Sequence, residues 1–369
     1  MILMNGPKLK FSITFLAVLL TLTACNNPNN KTINDIQIPS VLGLDKGKDK
    51  YIGTILYTDY TKEEEKGETT ILKGKGLNTR TILQEMDEQS SKPVELGKLS
   101  LLLFGKELAE DGIAYFVKTI CRDPLVGSNM YLAVSEGQSG ELLKNNKSNS
   151  SDHIVRLIEH RYEKDDLPLP NMHSFLFDYY GEGRDNAIPL LKVNSAGKIT
   201  IGGLAVFKND KLITTLDEKE TFLYKLLRGE TIRGDSVFNV KNEDRKGTAV
   251  FTVLYGENRK RFIKNHSVPK IHFYMELQGM VKDYPTWLDL REVSPKYMLK
   301  KQLEEQVEKE CKKLLHKLTA NKVDPLGIGD LVRAKSRDWD EKEFYENIYP
   351  NVQYDMDLNI ELTRAGIGE

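Results

Sequence analysis

The sequence predicts an α+β protein of three domains, with a mixed α/β N-terminal domain and a C-terminal antiparallel sheet packed by a long helix. Three observations lead there. Strand-like and helix-like runs alternate through the first part of the chain, the pattern of a layered α/β domain. Near the C-terminus Val352, Tyr354, Met356, Leu358, Ile360 and Leu362 alternate with Gln353, Asp355, Asp357, Asn359 and Glu361, which is a strand with one wet face. Between them, Leu299, Leu303, Val307, Cys311, Leu314, Leu315 and Leu318 step by three and four, which is the apolar stripe of a helix.

In chain order, residues 36–44 and 51–57 read as strands around the polar loop DKGKDK, a hairpin pattern. Residues 61–70 are a charged stretch. Residues 78–89 are helical, with Ile82, Leu83 and Met86 on one face. The run LSLLLF at 99–104, between Gly97 and Gly105, reads as a strand buried on both faces. A helix over 107–119, a strand over 130–134 and a short helix over 139–144 follow. KNNKSNSS at 144–151 is a solvated loop, and Asp152 caps a helix running through Arg161. Residues 165–186 form a long loop or hold a short helix at 172–179, and a strand resumes at 187–193. A hairpin over 200–216 turns at Asn209-Asp210. Asp217 opens a helix through Leu227, and Gly229 closes it, the usual C-cap residue. Strand plus loop is expected over 230–247, then strands at 249–255 and 270–281 and the long helix from Pro295 to about Lys322. The domains are read as 36–195, 196–248 and 249–369.

Ahead of them lies LAVLLTLTACNNPNNK at 16–31. Lys8 and Lys10 give a positive start, and residues 11–24 an uncharged apolar run, as in a secretory signal. Leu22-Thr23-Ala24-Cys25 then fits the lipobox of bacterial lipoproteins. Residues 1–24 are read as the signal peptide. Cys25 is read as the lipid attachment site, carrying S-diacylglycerol and an N-acyl group, and residues 25–35 as a tether. A spanning helix needs roughly 20 apolar residues, and this run is shorter. Two acyl chains hold a protein stably where one holds it marginally.

Composition narrows the function classes. With 53 basic and 54 acidic residues, no large basic field recruits nucleic acid. Besides Cys25 only Cys121 and Cys311 remain. They are read as unbridged, because Cys311 falls on the apolar stripe of the long helix.

The sequence lacks GxxxxGK[ST], GxGxxG, GxSxG, HExxH and CxxC patterns, so no catalytic, cofactor or metal site is assigned. His153 and His160 sit two turns apart on one helix, too far to chelate one ion, and His272 and His316 lie on polar faces. The carboxylate pairs Asp165-Asp166 and Asp355 with Asp357 are read as solvated surface.

The ordered series GKLSLLLFGKELAEDGI, CRDPLVGSNMYLAVSEG, GGLAVFKNDKL, NKVDPLGIGD and SRDWDEKEFYENIYPNV, then a closing strand and TRAG, resembles the Ger(x)C lipoproteins. These are C subunits of spore germinant receptors. The resemblance covers almost the whole chain after the signal. It implies a non-catalytic lipoprotein on the outer face of the spore inner membrane, assembled with membrane-embedded A and B subunits and needed for nutrient-triggered germination. Only Cys25 carries over as a functional position. Asp324 to Gly329 and Trp339 match family motifs, with the Pro and glycines expected to set the turn after the long helix and Trp339 to pack against it. Where many relatives have Trp-Asp soon after the lipidated Cys, this chain has Asn26-Asn27-Pro28. The other reading compatible with the residues is a solute-binding lipoprotein of a transporter.

Overall fold

The computed structural model describes residues 36–363, except 60–67, 128, 147–149, 151, 166, 169–170, 230–232 and 265–268. Cys25 and the segments assigned to the signal and tether lie outside the described residues.

An eight-stranded sheet holds the first part of the chain, in the order β3-β2-β1-β4-β5-β6-β7-β8. Its strands are β1 (Val41–Asp45), β2 (Tyr51–Asp59), β3 (Glu68–Gly76), β4 (Leu101–Gly105), β5 (Tyr131–Ser135), β6 (Ala187–Val193), β7 (Ile199–Lys208) and β8 (Lys211–Leu216). β1, β4, β5 and β6 run parallel, and the flanking pairs are antiparallel. The central strands β1 and β4 are buried at every residue, which is why LSLLLF shows no alternation.

One face of this sheet carries α1 (Thr79–Gln89), α2 (Lys106–Asp111), α3 (Ala114–Cys121) and α6 (Met172–Tyr180), whose Met86, Leu108, Phe116 and Phe175 pack on Leu42, Leu102 and Phe104. The other carries α4 (Ser139–Lys144), α5 (His153–Glu163) and α7 (Glu218–Arg228). On α7, Asp217 accepts from the Glu220 N–H at 2.7 Å and Glu220 reaches back, a capping box, while Gly229 closes the helix at φ 82° as the sequence predicts.

The second sheet has the order β12-β11-β10-β9: β9 (Gly234–Asn242), β10 (Arg245–Lys264), β11 (Pro269–Asp283) and β12 (Gln353–Leu362). The long helix α8 (Val293–Ala320) lies on it and buries the predicted stripe. Its N-cap makes no side-chain hydrogen bond. Each buried leucine contributes about 2 kcal/mol against about 1 kcal/mol for a cap, so the stripe decides where this helix forms. A single apolar cluster runs from Val41 and Leu103 of the first sheet through Leu223 of α7 to Phe273 and Leu303.

Several expectations need correction. β12 pairs with β11 in parallel, because α8 carries the chain back across the sheet before the last strand begins. The helix expected over 107–119 is two helices, broken at Gly112 with φ 127°. β3 is a strand that alternation does not reveal. Gly74 stands where a Cβ would lie 2.5 Å from the Ile82 carbonyl, so the strand gives up a side chain to let α1 approach. Asp152 makes no side-chain cap to α5. Of the stretch 196–248, β7 and β8 belong to the first sheet and β9 to the second.

Candidate functional site

The turn after the long helix, singled out in sequence, meets a second group that was not. The turn after α8 carries Asp324, and its carboxylate is fully buried. Its two oxygens accept the N–H groups of Ile328 at 2.9 Å and Gly329 at 2.6 Å, opening α9 (Ile328–Arg333), and the Tyr345 hydroxyl at 3.1 Å. The glycines serve the turn as expected, with Gly327 at φ 65°.

The second group is GEGRDN at 181–186, just before β6. Asp185 is almost fully buried, accepts the Asp324 N–H at 2.7 Å and donates its own N–H to the Asp324 carbonyl at 3.0 Å. Lys208 of β7 reaches the Asp185 carboxylate at 3.1 Å and lies 3.6 Å from the centre of the Tyr345 ring. Gly183 donates to Glu341 at 2.9 Å and accepts from the Asp330 N–H at 2.7 Å. A Cβ on Gly183 would stand 2.4 Å from the Asp330 nitrogen, and its φ is +80°. Arg184 pairs with both Asp178 and Asp330. Trp339 donates to Glu182 at 2.9 Å and its ring lies 5.1 Å from Phe344.

Two buried carboxylates side by side are costly unless satisfied. Burial pushes Asp324 up to about 6, against the backbone N–H groups that pull it down, with Asp185 adding to the rise. Burial likewise raises Asp185, and Lys208 opposes it. The same burial raises the Tyr345 phenol. These groups spend their hydrogen bonds on backbone and on one another, which makes the cluster a clamp between the two sheets. Beside it opens a polar cleft of 560 Å³ lined by Tyr180, Lys208, Lys322 and Glu346.

The remaining candidates stay apart. His153 Nδ1 lies 3.1 Å from Asn146 Oδ1, and burial lowers its pKa. His272 Nε2 lies 3.0 Å from Asp357. Asp355 pairs with Lys270, whose hydrogen bond lowers its pKa. Among the described residues no three His, Cys, Asp or Glu side chains converge as a metal site would require. Cys121 is exposed and Cys311 buried, both free thiols, and burial raises the Cys311 pKa.

Residues 29–193 match the family described as the spore germination protein N-terminal domain, and residues 202–366 the one described as spore germination B3/GerAC like, C-terminal. The chain belongs to the Ger(x)C family. It is a spore germination receptor subunit of the C class. Among its relatives, spore germination protein GerQC of Bacillus cereus is 24% identical over 97% of this chain and 99% of its own length. The putative spore germination protein YfkR of Bacillus subtilis (strain 168) is 20% identical, over 95% of each. The crystal structure of the GerBC protein shares the fold, with a TM-score of 0.56 at 17% identity, over 88% of this chain and 97% of that one. These names describe germination proteins, not enzymes. The two matched Ger(x)C segments are those that the Asp185–Asp324 clamp joins: Gly183, Arg184 and Asp185 come from the first, Asp324, Asp330 and Tyr345 from the second.

The clamp was not foreseen, since Asp185 and Asp324 are 139 residues apart in sequence. A signal was present in GEGRDN and DPLGIGD, two glycine-bearing turns that each hold an aspartate.

Proposed function

We propose that this chain is a non-catalytic, lipid-anchored receptor subunit held through Cys25 at the outer face of the spore inner membrane. There it assembles with membrane-embedded A and B subunits to support nutrient-triggered germination. The observation that carries the reading is the lipobox Leu22-Thr23-Ala24-Cys25 ahead of two matched Ger(x)C segments. Two features support it. Among the described residues no helix is long and apolar enough to cross a membrane, which is compatible with attachment through a lipid. The buried carboxylates serve the fold, as Asp324 caps α9 and Asp185 joins the two sheets.

The test is Cys25→Ala in sporulating cells. The expected result is loss of the subunit from the spore membrane fraction and loss of germination through this receptor. Normal germination with the subunit still membrane-bound would overturn the reading.

A further inference from the structure

β12 is the outermost strand of the second sheet and pairs with β11 along its whole length without a bulge. The direction of its backbone groups follows from two hydrogen bonds. The Ile360 N–H turns away from β11 to Glu304 Oε1 at 3.0 Å. The Thr363 N–H, three residues on, turns toward β11 to the Gly279 carbonyl at 2.8 Å. Alternate residues of a strand point the same way, so Tyr354, Met356 and Leu358 also direct N–H and C=O outward. Open edges of this kind template pairing with another chain, and proteins blunt them with proline, bulges or lysine. β12 has none of these, and α8 covers the edge only toward its C-terminal end, where Glu304 takes the Ile360 N–H and Lys300 reaches Asn359.

Beside the edge, at Leu358 and Asn359, lies a slot of 470 Å³ whose far wall is residues 301–308 of α8. Glu276, Glu304, Glu305, Glu308 and Asp357 line it, against Lys301 as the sole cation. Lys301 is held by Glu304 at 3.0 Å, Glu308 by Lys312 at 2.6 Å, and Asp357 faces His272. Glu276 makes no salt bridge among the described residues, and Glu305 adds its charge at longer range to that of Glu304 on Lys301. A second copy pairing edge to edge about Leu358 would set Asp355 against Glu361, which like-charge repulsion opposes.

We propose that the β12 edge is a docking strand for an extended, lysine- or arginine-bearing segment of a partner protein. The added strand takes its affinity from main-chain hydrogen bonds and its selectivity from the carboxylates of the slot. The proposal does not depend on the lipid anchoring above and is tested in detergent solution on the full chain.

The probe is a short fluorescent peptide of alternating lysine and valine, with alternating glutamate and valine as its control, followed by anisotropy at low salt. The expected result is binding of the lysine peptide alone. The double variant Glu276→Lys with Glu305→Lys lies on the surface and weakens binding about tenfold or more. Leu358→Pro removes one outward N–H while sparing the ladder to β11, and it weakens binding beyond Leu358→Ala, which controls for lost packing. Circular dichroism checks that each variant folds. Should Leu358→Pro unfold, the charge variant decides alone. Equal binding of both peptides, unchanged affinity in the charge variant, no binding at millimolar peptide, or self-association through β12 would overturn it.

Discussion

The clamp makes a quantitative claim about acid. Asp324 is raised from the ordinary carboxylate value of 3.8 to about 6, first by burial and then by Asp185. Because its folded value lies above its unfolded one, the protonated carboxyl suits the fold better. Its contribution to stability is complete below about pH 4 and is lost as pH rises through about 6. That shift corresponds to about 3 kcal/mol. Asp324→Asn removes the titration while keeping the shape. Since Asp185 lies against Asp324, the difference belongs to the pair. Urea unfolding of the full chain, followed by tryptophan fluorescence with Trp339 reporting from the clamp, gives the stability of both proteins across this range. The wild type should gain about 3 kcal/mol on the variant between about pH 8 and about pH 4. Titrating groups outside the pair are common to both and cancel. A difference that stays flat within about 0.5 kcal/mol would refute the placement of a titrating carboxyl at the core of the clamp.

Two further outcomes follow from the same geometry. Gly183→Ala combines a φ of +80° with a Cβ 2.4 Å from the Asp330 nitrogen, so it should cost about 2–4 kcal/mol in denaturant unfolding, and a loss under about 0.5 kcal/mol would count against the close approach of the two turns. Thiol titration of the native protein should find Cys121 alone, with Cys311 reacting only after unfolding; a third reactive thiol would be Cys25 without its lipid.

How much of this was legible depends on whether a feature is local. α8 and β12 show in the sequence because each is wet on one side and dry on the other, so Leu299 to Leu318 and Val352 to Leu362 carry their periods openly. β10 reaches Lys264, well past the expected Tyr255, because residues such as Asn258, Arg259 and Lys260 lie on a hairpin arm with little buried surface to mark it. β3 hides behind Gly74 and Gly76, which trade side chains for contact with α1. The direction of β12 is invisible to alternation, since a period of two fixes the face a residue takes and not the way the strand runs. The Asp185–Asp324 pair is a long-range event, and in sequence each aspartate looks like one of the many solvated ones.

The placement of β1 has a mechanical consequence. It is the first strand among the described residues and yet it sits inside the eight-stranded sheet, hydrogen-bonded to β2 on one side and β4 on the other. A tug on the N-terminal side of the chain therefore enters along the strand axis and loads both ladders in shear, where all the bonds must yield together. A terminal strand at the margin of the sheet would peel one bond at a time. For a body hung from its N-terminus, as proposed above, that is the sturdier way to be held.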